Sequence, residues 1–153
     1  MSTVQVDYTG FMDSYPVASG TVTTGWYPGN IGKLESDGEL TLYSGGTTED
    51  AMFLVVDDTN ELSSPPTGKR VTVLYGQGKV QIKPDDVTDW SNVYYGPLTD
   101  WLVNLPVYAT NAGTLCVNYN ATPDAGSGVR QVGKVVDPPT AANSYYLTML
   151  VTV

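Results

Sequence analysis

Apolar and polar residues alternate with a period of two along most of the chain. Val4, Val6 and Tyr8 share one face of residues 3–8, and Leu40 and Leu42 one face of 39–43. Val71, Val73 and Tyr75 do the same in 69–76, Val80 and Ile82 in 79–83, and Tyr145, Leu147, Met149, Val151 and Val153 in 145–153. Such alternation predicts half-buried strands. The run AMFLVVD, 51–57, is apolar throughout and predicts a strand buried on both faces. Further strands are predicted at 106–110, 114–119 and 129–137, the last with a bulge at Gly133.

Turn residues divide these runs at short intervals. Asp37-Gly38 predicts a type I′ turn closing a hairpin over 31–43. Gly76-Gln77-Gly78 predicts a hairpin that brings 79–83 back along 69–76, and Asn111-Ala112-Gly113 predicts another between 106–110 and 114–119. Residues 9–30, with Pro16 and Pro28, read as a loop or an extended arm, so that 1–30 stands apart from the rest. Residues 84–105 read as one long insertion loop. The expectation is an all-β fold, a single-domain barrel or sandwich over 1–153 with nine or ten short strands.

Composition supports that class. Val, Thr and Tyr make up about a third of the 153 residues, and Gly (16) and Pro (10) punctuate the chain. The length is that of one domain and suffices to bury a core. The charge balance, 7 basic against 16 acidic residues, gives −9 and argues against nucleic-acid or anionic-membrane partners. No run is apolar enough for a transmembrane helix, and MSTVQVDYTG lacks the basic and apolar regions of a secretory leader, so synthesis in a cytoplasm is expected, whatever the later destination.

The absence of His removes Ser-His-Asp and Cys-His nucleophile pairs, His-ligated zinc and imidazole proton shuttles. Cys116 is alone and lies in an alternating run, so it reads as a small buried hydrophobe. Asp85-Asp86-x-x-Asp89 is the best candidate for a metal, but it lacks the alternation and glycine of a calcium loop. A solvated acidic run explains it, as it does Glu49-Asp50 and Asp57-Asp58 at the ends of an apolar strand. No Asp-Thr/Ser-Gly pair, phosphate-binding glycine loop or distinctive carboxylate pair stands out, so no catalytic, cofactor or metal residue is assigned.

The aromatic-rich stretch is 84–105, PDDVTDWSNVYYGPLTDWLVNL, with Trp90, Tyr94, Tyr95 and Trp101. Two readings stand side by side. The loop packs its aromatics onto its own scaffold, or it presents them as a contact surface, for which Trp and Tyr are suited. Trp26 and Tyr27 join these four as candidate interface residues.

In order, GKLESDGELTLYS, AMFLVVDD, GKRVTVLYGQGKVQI, PVYATNAGTL, VRQVGKVVDPP and the terminal LTMLVTV form a familiar succession of strands and turns. It resembles the small β-barrel decoration, or cement, proteins of tailed-bacteriophage heads, over about residues 31–153. Residues 1–30 and 84–105 lie outside the pattern, so no oligomer contacts carry over. The resemblance implies a non-enzymatic homotrimer on the outer surface of a virion, bridging subunits of the major capsid protein without a cofactor. Binding only the assembled shell would stabilise it by mass action, and many copies would multiply a modest contact. A carbohydrate- or receptor-binding tail or fibre module, stacking its exposed aromatics on sugars, is the competing expectation. An enzyme built from carboxylates alone is the third, to be revived by a carboxylate pair facing across a cleft.

Overall fold

A computed structural model describes residues 3–8, 11–18, 27–44, 52–56, 70–84, 89–117 and 130–153. The fold is all-β. Its strands are β1 (Thr3–Tyr8), β2 (Phe11–Pro16), β3 (Ile31–Leu34), β4 (Leu40–Leu42), β5 (Met52–Val55) and β6 (Arg70–Tyr75), then β7 (Gly78–Lys83), β8 (Pro106–Ala109), β9 (Leu115–Cys116), β10 (Arg130–Asp137) and β11 (Leu147–Val151). They form a six-stranded sheet, β1-β7-β11-β10-β8-β9, and a five-stranded sheet, β2-β6-β5-β3-β4.

The main core lies between the sheets. Ile31, Leu54 and Leu74 enter it from the five-stranded sheet, and Val80, Ile82, Val107, Leu147 and Met149 from the six-stranded one. The alternation in β7 explains its part: Gly78, Val80 and Ile82 are buried, while Lys79, Gln81 and Lys83 are half-buried on the opposite side. Leu54 of β5 is fully buried, as the apolar run predicts for a strand between two others.

The five-stranded sheet has a second apolar cluster, in which Val17, Leu40, Val71 and Val73 are covered by Tyr15, Leu34, Leu42 and Tyr75. Its cause is curvature. Val17, just past β2, forms a parallel bridge with Leu40 of β4, and the Ala18 N–H donates to the Leu40 carbonyl at 3.0 Å. The two edges of the sheet are thereby drawn together by a single bridge. β6 lies inside this curl and buries both its faces, Leu74 toward the main core and Val71 and Val73 toward the second cluster.

Three expectations change. The Gly76-Gln77-Gly78 turn does not close a hairpin, because β6 and β7 belong to different sheets. β1 pairs with β7 from Thr3↔Lys83 to Val6↔Val80, shifts at Val6/Tyr8, and the pairing resumes between β2 and β6 from Phe11↔Tyr75 to Pro16↔Arg70. One long antiparallel ribbon thus passes from one sheet to the other, the corner expected where packed sheets exchange a strand. Gly76, at φ +82°, donates its N–H to the Val153 carbonyl at this corner. Residues 3–8 form the strand their alternation predicts, while 11–16, inside the stretch 9–30 read as a loop or arm, form a second one, so the N-terminal region is woven into the sheets. The second strand escaped notice because FMDSYP has no apolar alternation; β2 sits at a sheet edge, where such a sequence and a terminal Pro are tolerated.

The second change is local. The β3–β4 hairpin exists, with Leu34↔Leu40 as its last pair, but only Gly38 has positive φ (+84°); Asp37 does not. The turn is longer than type I′: the Gly38 N–H reaches the Glu35 carbonyl at 3.0 Å, and the Glu35 N–H reaches that of Glu39 at 2.9 Å. This is the three-residue loop with a left-handed glycine. The β8–β9 turn repeats it, with Gly113 at φ +74° and its N–H on the Thr110 carbonyl at 3.0 Å. The bulge expected at Gly133 is present as a register shift between Gln131 and Gly133 against β8.

The third change concerns 84–105. Its described part is not an appendage. The Leu115 N–H donates to the Val93 carbonyl and the Tyr95 N–H to the Leu115 carbonyl, both at 2.7 Å, so the segment runs parallel to β9 and covers that edge of the six-stranded sheet.

Candidate interaction surface

The aromatic candidates separate into distinct environments. Tyr94 is 1% exposed and Trp101 3%, and both belong to the main core. Their rings meet at a centroid distance of 5.4 Å and an angle of 58°, a tilted contact of the kind aromatic pairs favour. The Tyr94 hydroxyl donates to the Tyr145 carbonyl at 3.1 Å. Burial raises its pKa far above the ordinary 10.0, outweighing a hydrogen bond from the Leu147 backbone, so the phenol is a fixed neutral donor. Tyr94 and Trp101 are therefore not interface residues: with both rings enclosed by their own chain, neither offers area to a partner.

Tyr27 is half-buried against the same core. It opens a tight turn in which the Asn30 N–H donates to the Tyr27 carbonyl at 3.0 Å. Buried Asn30 returns the bond, accepting from the Tyr27 N–H at 2.8 Å and donating through Nδ2 to the Asn92 carbonyl at 3.0 Å. Asn30 thus ties this turn to the 3-10 turn Asp89–Asn92, which includes Trp90. Tyr95 is exposed, at 39%. Trp26 and the side chain of Trp90 lie outside what the structure describes.

Two surface features were not singled out from the sequence. Leu102 and Val103 are 60% and 56% exposed, the highest values among the large exposed apolar residues described. Their turn is pinned to β10, since the Asn104 N–H donates to the Val135 carbonyl and the Val135 N–H to the Leu105 carbonyl, both at 2.9 Å. Aliphatic side chains on a fixed backbone present apolar area without an ordering cost. Sequence periodicity could not reveal them, because Trp101-Leu102-Val103 reads as one apolar run although only its first residue is buried.

The second feature is a row across the outer face of the six-stranded sheet. Lys134 of β10 lies opposite Leu150 of β11, which lies opposite Lys79 of β7. Leu150 is 43% exposed. Its position was implicit in the alternation that places Leu147, Met149 and Val151 inside.

Among the described residues no group of three or more Cys, Asp or Glu is arranged to hold a metal ion. Asp85, Asp86, Glu49, Asp50, Asp57 and Asp58 lie outside the described residues. Cys116 is buried in β9. A cleft of about 190 Å³ at the sheet corner is lined by Gln77, Gly78, Leu150, Val151 and Thr152, without a carboxylate. It is smaller than the ~300–1,000 Å³ of ordinary small-molecule sites. No described helix is long and apolar enough to cross a membrane. No protein-family model matches the chain, and no curated protein matches it in sequence.

Proposed function

We propose that this chain is a structural protein of a virion, a homotrimer that decorates the outer surface of a bacteriophage capsid and stabilises it by bridging major capsid protein subunits, with no catalytic role. The observation that carries the reading is the exposed Leu102–Val103 pair held on a turn that is hydrogen-bonded to β10. An apolar contact on a stiff scaffold suits a protein that acts by adding buried area across joints. The succession of strands and turns over 31–153 adds its resemblance to head decoration proteins. Mass action supplies the mechanism: a protein that binds only the closed shell raises the free energy of opening it.

The test is addition of the purified chain to expanded phage heads that lack their decoration protein. Cosedimentation and a raised melting temperature of the heads are expected, and both should be lost in Leu102→Asp/Val103→Asp, whose own fold is intact because these side chains are exposed. Heads that neither bind the chain nor melt later in its presence would refute the proposal.

The carbohydrate-binding alternative retains Tyr95 but loses Tyr94 and Trp101 to the core. Glycan-array binding abolished by Tyr95→Ala would revive it.

A further inference from the structure

We propose that the outer face of the six-stranded sheet is a docking surface for the acidic β3–β4 turn of a second copy of this chain. The inference deepens the proposed trimer and rests on it, by naming the two surfaces that meet.

The first observation is charge placement. Lys33, Arg70, Lys79, Lys83, Arg130 and Lys134, six of the seven basic residues, lie in the described strands; of the sixteen acidic residues, only Asp7, Asp13 and Asp137 do. Four of those six basic residues belong to the six-stranded sheet. A chain of net charge −9 therefore carries a basic sheet, and any other copy approaches it as a strongly acidic body.

The second observation is geometry. Residues directly opposite on neighbouring antiparallel strands stand ~4.5–5.5 Å apart, so the Lys134–Leu150–Lys79 row places an exposed leucine between two ammonium groups. Lys83 extends the basic face on β7, its Nζ 5.6 Å from the centre of the Tyr146 ring. Asp7, at the bulge of β1 beside the Tyr8↔Lys79 pair, and Asp137, opposite Thr148, are the two carboxylates in the strands of this sheet, against its four basic residues. Exposed ion pairs contribute little apiece, and here an apolar anchor at their centre makes the row more than a set of solvated charges.

The complementary element is the β3–β4 turn, which holds Glu35, Asp37 and Glu39 within five residues. Lys33 Nζ lies 3.5 Å from Glu35 Oε1 and offsets one of the three charges. Asp37 is exposed, and its Oδ1 accepts the Glu39 N–H at 3.0 Å, which fixes the tip. Ser36, Asp37 and Gly38 at the tip of this hairpin are all exposed, so the tip is open to a partner. A basic face on one copy and an acidic tip on the next are different patches, so the contact is head-to-tail, and such contacts close into rings where the rotation permits.

The experiment is sedimentation equilibrium on the free full-length chain. Association is expected at ~0.1 M NaCl and should weaken at least ~10-fold at ~1 M, as the screening length falls from ~10 Å to ~3 Å. Lys79→Glu/Lys134→Glu and Asp37→Lys/Glu39→Lys should each be monomeric, and an equimolar mixture of the two should associate again. If either variant fails to fold, carbodiimide cross-linking of the unaltered chain decides instead, with intermolecular links expected from Lys79 or Lys134 to Asp37 or Glu39. A monomer at low salt, association indifferent to both charge reversals, or cross-links confined to other residues would each overturn the proposal. No shell is present in these measurements, and Leu102 and Val103 are untouched, so failure here and failure of the shell-binding reading are separate results.

Discussion

The hydroxyl of Tyr94 donates to the backbone carbonyl of Tyr145, 3.1 Å away and fifty-one residues later. Tyr145 and its neighbour Ser144 both have left-handed backbones, at φ +62° and +60°. That conformation costs an L-residue energy, more for a bulky one. The turn is held on one side by the Tyr145 N–H on the Thr140 carbonyl at 2.7 Å and on the other by the Tyr94 hydroxyl. The buried segment before β8 thus fixes the entry into β11, the strand at the middle of the six-stranded sheet.

Tyr94→Phe keeps the ring against Trp101 but leaves the Tyr145 carbonyl without this donor, and should cost about 1–3 kcal/mol in urea denaturation. The pH dependence has a definite sign. Because the folded pKa is raised above 10.0, the phenol is neutral in both states below that pH and adds no slope. Above it the unfolded chain releases the proton and the folded chain does not, so stability falls by up to about 1.4 kcal/mol per pH unit. The difference in stability between the unaltered protein and Tyr94→Phe should therefore shrink as pH rises past 10.0. A difference that stays constant to the alkaline limit would contradict the burial of this hydroxyl.

Trp101 buries its ring, yet its Nε1 has no hydrogen-bond partner among the described residues. The indole therefore contributes packing while its N–H loses solvation without compensation. Trp101→Ala should cost about 3–5 kcal/mol by opening a cavity beside Tyr94. Trp101→Phe should cost clearly less, because it keeps a ring beside Tyr94 and leaves a smaller cavity. Equal losses in the two variants, measured by thermal unfolding, would mean that the ring contact with Tyr94 does not support the fold.

Gly133 and Gly38 should respond differently to alanine. A Cβ at Gly133 would overlap the Leu150 carbonyl oxygen and Met149 Cε, so the close pairing of β10 with β11 requires glycine there. Gly133→Ala should lose about 1–3 kcal/mol or more by forcing the strands apart. At Gly38 a Cβ would meet nothing within 4 Å, and the cost comes only from the positive φ of +84°. Gly38→Ala should lose about 1 kcal/mol. Comparing their urea midpoints tests the register of β10 on β11.

Asn30 is 3% exposed and satisfies its amide on both sides, through the Tyr27 N–H and the Asn92 carbonyl. Asn30→Ala strands both partners and should cost about 1–3 kcal/mol. The loosening should be local, appearing as faster amide hydrogen exchange at Tyr27, while β10 and β11 keep their protection. Uniform acceleration would show that this staple supports the whole fold.

Much of the architecture was legible in the pattern of residues. The runs at 3–8, 31–34, 40–42, 52–55, 78–83, 106–109, 130–137 and 147–151 become strands; Leu54 is buried in the apolar run, and Val80, Ile82, Leu147, Met149 and Val151 are buried where alternation places them. The site was less legible. Tyr94 and Tyr95 are adjacent aromatics of one kind, yet one is enclosed and the other exposed. Their composition suits a core and an interface equally, and only the pairing of Val93–Tyr95 with Leu115 sends them to opposite sides.

The all-β class, the positions of most strands and the inward side of each follow from the local order of residues, because a period of two is a property of the extended chain. Which strands meet was decided only by the tertiary structure. The pairing of β1 with β7 in one sheet and of β2 with β6 in the other, the burial of Tyr94 and Trp101, and the Lys134–Leu150–Lys79 row all depend on partners remote in sequence. Alternation marks a buried face but carries no address for the strand that covers it; that address comes from shape, twist and the closing of one shared core.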